Sequence, residues 1–228
     1  MFWGLPFLMG PSILILLPAV ILAIYAQYKV RSTYTRYARV GTANGTTAAQ
    51  AAKSILEGAG ISNVDIKGIK GPLSDNYDPR GKVLRLSDPE SISVAAVGVA
   101  AHEAGHAIQH AHGYRPLSLR TAIVPIANFG SQIALPFFFI GLIFRYQAFV
   151  TFGILAFSLA VLFTLITLPV EFDASRRAVV ALRETSLVTE EELGAVKEVL
   201  FAAALTYVAA AAMAALQLLM LLSVNRRR

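Results

Sequence analysis

Two histidines stand four residues apart in the run AAHEAGHAIQHAHG, residues 100–113, with a glutamate directly after the first: His102, Glu103 and His106. On a helix that spacing sets both imidazoles on one face, one turn apart, where they can converge on a single metal ion. Glu103 is offset round the same helix, in place to act as general base toward a metal-activated water. The HExxH pattern therefore predicts hydrolytic zinc chemistry. Gly105 removes side-chain bulk between the two ligands.

A catalytic zinc takes three protein ligands and keeps one position open. The chain has no cysteine, so the third ligand must be a histidine or a carboxylate. All four histidines lie in this one run. His112 has the spacing of a metzincin third ligand, but that pattern needs a glycine where Gln109 stands, to turn the chain out of the helix. If the helix continues, His112 lies about 9 Å further along the axis than His106. His110 is one turn on but rotated away from His102, as a polar helix end would be. The remaining source is LPVEFDASRRA, residues 168–178, where Glu171 and Asp173 are the first charges after a long apolar stretch. Helix-dipole contact would explain acidic residues at such a place as well. The need of the histidine pair for a third ligand favours Glu171.

The elements that must position these residues belong to an apolar chain. Hydrophobic residues make up 56 % of its 228 positions, and the mean hydropathy is +0.59. Four uncharged apolar segments, residues 5–28, 121–144, 148–170 and 199–224, reach the length of about 20 residues that crosses a bilayer. The first lacks the charged leader and cleavage site of a signal peptide and reads as an anchor. The net charge of +6 does not point to nucleic acid. Lys29, Arg31, Arg36 and Arg39 abut the first span, where cations favour anionic headgroups and cytoplasmic retention. Residues 29–120 are then cytoplasmic, the second and third spans turn at Arg145, and residues 171–198 return to the same side with Arg176, Arg177, Arg183 and Lys197. The terminal Arg226, Arg227 and Arg228 oppose this orientation.

Five segments follow: an anchor over 1–28, a soluble portion with the histidine helix over 29–120, a transmembrane hairpin over 121–170, a third-ligand segment and linker over 171–198, and a last span with a basic tail over 199–228. Within the soluble portion, Thr46 or Thr47 caps a helix built on Ala48, Ala51, Ala52, Ile55 and Leu56, which Gly58 and Gly60 stop. Residues 63–69 and 82–87 read as two strands of a hairpin joined by GPLSDNYDPRG. Asp88 and Pro89 are placed to start the histidine helix and Gly113 to end it.

The stretches LSDNYDPRGKVLRLSD, VAAVGVAAHEAGHAIQHAHGYRPL and LPVEFDASRRA, with the succession of spans, resemble the YugP-like neutral zinc metallopeptidases of bacterial membranes. The resemblance covers nearly the whole chain. It implies a mainly α integral membrane protein, with about four transmembrane helices and a small zincin-like α+β portion at the membrane surface. It also implies His102, His106 and Glu171 as zinc ligands, a gluzincin-like set, with Glu103 as catalytic base. A more distant likeness to the HtpX type of membrane protease puts a supporting aspartate four residues after the third ligand. That place is Ser175 here, with Asp173 two residues on; Asp173 either orients a ligand imidazole or binds an arginine. Asn76 stands where the family often has histidine.

The activity expected is endopeptidase cleavage of membrane or membrane-proximal polypeptides by a multi-pass protein, its active site on the cytoplasmic face. Tyr77, Arg176 and Arg177 are candidate oxyanion donors or substrate contacts, and residues 82–87 are the expected edge strand for substrate pairing. Partners are polypeptide substrates and the bilayer, with a second copy or other membrane proteins beside them. A scaffold with a structural zinc is the rival reading. A metal transporter would place ionisable ligands within its spans, and these four have none.

Overall fold

The computed structural model describes residues 11–226. The predicted start of the first span at residues 5–10, and Arg227 and Arg228 of the tail, lie outside them. After a 3-10 turn over Pro11–Leu16 come α1 (Leu17–Tyr37), α2 (Ala48–Gly58), β1 (Asp65–Gly68), β2 (Asn76–Asp78), β3 (Val83–Leu86), α3 (Val94–Ala111), α4 (Arg115–Phe144), α5 (Gln147–Glu184) and α6 (Glu190–Arg226). Among the described residues, four helices are long and apolar enough to cross a membrane: Leu14–Tyr37, Arg115–Phe144, Gln147–Glu184 and Glu190–Arg226. The chain divides into two compact units.

Among the described residues, one unit comprises 11–26, 119–168 and 206–226. Here α4 reverses into α5 at Arg145, which takes a left-handed φ of 60°. Their backbones come close: a Cβ on Gly153 would stand 2.7 Å from the Ala134 carbonyl oxygen. Small residues permit such close contact between apolar helices. Phe138, Val150 and Leu221 form its buried centre.

The other unit comprises Gln27–Ser118 and Pro169–Leu205. Helix α2 begins as the sequence predicts, with a capping box in which Thr47 accepts from the Gln50 amide and the Gln50 side chain accepts from the Thr47 amide. Its apolar face, Ala48, Ala51, Ala52, Ile55 and Leu56, packs with Val97, Ala100, Ala101 and Ala104 of α3 and with Ala178, Leu182 and Val196. Helix α5 does not stop where the apolar run ends. It continues from Pro169 to Glu184 as part of this unit.

Two sequence expectations are corrected. The strands at 65–68 and 83–86 are not a hairpin; they pair in parallel, and the three-stranded order is β1-β3-β2. The hairpin partner of β3 is β2, the three residues Asn76, Tyr77 and Asp78 within the supposed connection. Asp78 Oδ1 accepts from the amides of Arg80 and Gly81 and closes that turn. A three-residue strand leaves no alternation to read, and parallel strands need the longer crossover in which it sits. Consequently β3 is the central strand, with Val83, Leu84 and Leu86 buried, and the sheet edges are β1 and β2. The second correction concerns the start of α3. Its N-cap is Ser93, whose hydroxyl accepts from the Ala96 amide, not Asp88. Residues 88–92 instead turn, and the carbonyls of Pro89 and Ser91 receive the first amides of α2, those of Ala49 and Ala48. Gly113 does end the helix, with φ +62°.

Candidate metal centre

Helix α3 carries His102, Glu103 and His106, and α5 carries Glu171. The two helices meet at a glycine: a Cβ on Gly105 would lie 2.4 Å from the Ala174 carbonyl oxygen, so only glycine allows this approach. The contact sets Glu171, one turn before Ser175 on α5, against both imidazoles. Glu171 Oε2 is 3.2 Å from His102 Nε2 and 3.6 Å from His106 Nε2, and Glu171 is 2 % exposed. Ligand atoms of the three residues all lie within 4.8 Å of one another.

These distances suit a tetrahedral ion. Bonds of about 2.0–2.1 Å to nitrogen and oxygen place tetrahedral ligands roughly 3.3 Å apart. Two imidazoles and a carboxylate, without sulfur, are a donor set zinc accepts.

The outer ring nitrogens are held as well. His102 Nδ1 lies 3.1 Å from Ser175 Oγ, and His106 Nδ1 lies 3.0 Å from Gln109 Oε1. Gln109 is completely buried; its amide nitrogen donates to the Val170 carbonyl at 2.8 Å and to Asp173 Oδ2 at 2.9 Å. Because both of those partners only accept, the amide oxygen must face His106, and Nδ1 of that ring must carry the proton. In the neutral ring Nε2 is then the free lone pair that a metal would take. Burial alone would push His106 down, but the carboxylates of Glu171 and Glu103 near it favour its charged form and raise it above the ordinary imidazole value.

The remaining predicted residues fall elsewhere. Asp173 pairs with Arg176 at 3.0 Å and with Arg177 at 2.5 Å; it reaches His106 only through Gln109. Arg177 also lies 3.3 Å from His112 Nδ1 and stacks over the Tyr114 ring, so both arginines are engaged around Asp173. His112 caps α3 and is held by Arg177, apart from the His102, His106 and Glu171 cluster. Tyr77 Oη is 2.8 Å from His110 Nδ1. Asn76 Oδ1 accepts from Arg85 at 3.2 Å. The sequence alone gives the serine at position 175 no role and marks Gln109 only as a residue that keeps the helix going. An amide among the alanines and isoleucine of a packed helix was the available signal, since buried polar groups are almost always hydrogen-bonded.

Two histidines and a glutamate from a second helix are a donor set that zinc peptidases use, and comparison of nearly the whole chain points to the same class. It belongs to the family described as "Putative neutral zinc metallopeptidase", whose model matches residues 12–226. Among curated relatives it is similar to the "Putative membrane protease YugP" of Bacillus subtilis (strain 168), with 42 % identity over 200 residues that cover 87 % of this chain and 89 % of the relative. No solved structure matches it.

Proposed function

We propose that this protein is a membrane-embedded zinc-dependent endopeptidase acting on membrane or membrane-proximal polypeptides. The observation that carries the reading is the convergence of His102, His106 and Glu171 beside Glu103. His102 and His106 would hold the zinc through Nε2 and Glu171 through its carboxylate. A zinc ion there supplies Lewis acidity, which polarises a carbonyl and acidifies water.

Glu103 takes the proton from the water that attacks the peptide carbonyl carbon. It returns that proton to the amide nitrogen as the carbon–nitrogen bond breaks, releasing a carboxylate and an amine. Ser175 and Gln109 keep the two imidazoles in their working tautomer and orientation. An extended substrate chain pairing with the sheet must use β1 or β2, because β3 is flanked on both sides. The four apolar helices and the membrane-protease name of the relative support a multi-pass protein. The basic residues 29–39 favour a cytoplasmic site.

The test is zinc content and casein cleavage by the full-length protein in detergent. Glu103→Gln should keep its zinc and lose cleavage by 10²-fold or more; Glu171→Ala should lose both. Unchanged cleavage in Glu103→Gln would remove the base assignment. Zinc bound with no cleavage of any substrate would leave the structural-scaffold reading.

A further inference from the structure

Helix α3 presents more than the metal ligands. His110 follows Glu103 by seven residues, two turns less about 20°, so both stand on one face roughly 10.5 Å apart along the axis. Ala107 and Ala111 flank that face and, with His110, form one wall of a cavity of about 420 Å³. Ser62, Asn63 and Val64 before β1, Tyr77 of β2 and Lys82 before β3 make up the rest of the wall, together with Gly60 and Ile61. The volume holds one or two amino-acid side chains comfortably.

The chemistry of the lining is one-sided. Its residues include a lysine, a serine, an asparagine and the Tyr77–His110 pair, and no aspartate or glutamate. Burial raises the Tyr77 hydroxyl above its ordinary value, so the phenol stays protonated. Its 2.8 Å contact with His110 Nδ1 then leaves one polar hydrogen over in either tautomer. If Tyr77 donates to Nδ1, Nε2–H is left over; if Nδ1–H donates to Tyr77, the phenolic hydrogen is. A donor-rich pocket beside a cation fits an anion, and in a polypeptide the anion is a carboxylate.

Resting on the peptidase reading, we propose that the Tyr77, Lys82 and His110 pocket is a substrate subsite for a carboxylate about three residues from the cleaved bond. The span from Glu103 to His110 equals about three residues of extended chain. The carboxylate comes from an Asp or Glu side chain or from a substrate's free C-terminus, and the same experiment separates the two.

Binding is measured first, on full-length zinc-loaded Glu103→Gln protein in detergent. Fluorescent octapeptides carry one Glu at each position in turn, against Gln isosteres, each with a free or an amidated C-terminus. The expected result is about tenfold tighter binding of the favoured Glu peptide than of its Gln isostere, with the preference inverted toward a Lys peptide by Lys82→Glu and reduced by Tyr77→Phe. If the gain follows the free C-terminus instead, the terminus is the source of the carboxylate. Equal binding of Glu, Gln and amidated peptides, or Lys82→Glu without effect on the ratio, overturns the subsite. Wild-type protein is then given the same peptides, and the cut is mapped by mass spectrometry. A cut three residues from the carboxylate is expected, and a cut at another fixed distance refutes the placement. Carboxylate-selective binding without any cut means that the peptidase reading has failed while the pocket's selectivity stands.

Discussion

Gly105→Ala tests the whole construction of the site with one methyl group. In an ordinary helix this change stabilises, by up to about 1 kcal/mol, because alanine is the better helix former. Here the new Cβ would lie 2.4 Å from the Ala174 carbonyl oxygen and 3.1 Å from its carbon. Both are backbone atoms in the middle of a helix, so no side chain can swing aside. To reach ordinary contact, α3 and α5 must separate by about 1 Å, and such overpacking costs about 1–3 kcal/mol. The same separation moves Glu171 from both imidazoles, now 3.2 and 3.6 Å away, by several times the ~0.2 Å that a metal site tolerates. The variant should therefore be less stable than wild type by about 1 kcal/mol, a loss of roughly 2–4 °C in Tm. It should also bind zinc at least 10-fold more weakly. Chelator competition and thermal melts of the full chain in detergent, with and without zinc, read both effects. Gly194→Ala is the control: it lies inside α6 with nothing within 4 Å of its added Cβ, and it should gain stability without altering zinc affinity. If Gly105→Ala behaves like Gly194→Ala, the glycine contact does not set the metal centre.

Further expectations follow from neighbouring contacts. Gln109→Leu, matched in size but unable to accept from His106 or donate to Asp173, should lower zinc affinity by about 10–100-fold, read by the same chelator competition. Ser175→Ala should act in the same direction through His102, and wild-type zinc affinity in both variants would deny the outer hydrogen bonds a role. Because His106 is raised in the metal-free protein, protons compete with metal earlier than at a free imidazole. Zinc content should be complete in alkaline buffer and begin to fall above the ordinary imidazole value as pH drops. The metal-free fold shows the opposite sign: the His106 contribution to stability is present at low pH and lost as pH rises through the raised value. Thr47→Ala, which removes half of the capping box on α2, should cost about 1 kcal/mol of stability in a denaturant melt and leave zinc binding intact.

Much of the architecture is local and so could be read from the chain. The HEAGH spacing, the Thr47 cap, the Gly113 stop, the reversal at Arg145 and the four apolar helices each depend on residues within a turn or a run of one another. Glu171 was legible for a different reason: a charge at the end of a long apolar stretch is costly unless it has a partner, and the histidine pair lacked a third ligand. The errors also have a common cause. The alternation at 63–69 and 82–87 is visible in the chain and points to a hairpin, whereas β2 is too short to show any. An Asp-Pro pair suits a helix N-terminus and points to Asp88 as the start of α3, yet the carbonyls that follow it are used by α2.

The sequence by itself determined which groups can bind metal and which helix face bears two of them, since a period of 3.6 residues is a property of the chain alone. Only the tertiary structure decided that Gly105 lies on the Ala174 backbone, that Ser175 and Gln109 take the outer nitrogens of the two histidines, that Asp173 serves its arginines, and that β3 sits in the centre of the sheet. Those facts join residues up to 73 positions apart. They follow from which surfaces fit closely enough to pack, and that complementarity has no period along the chain.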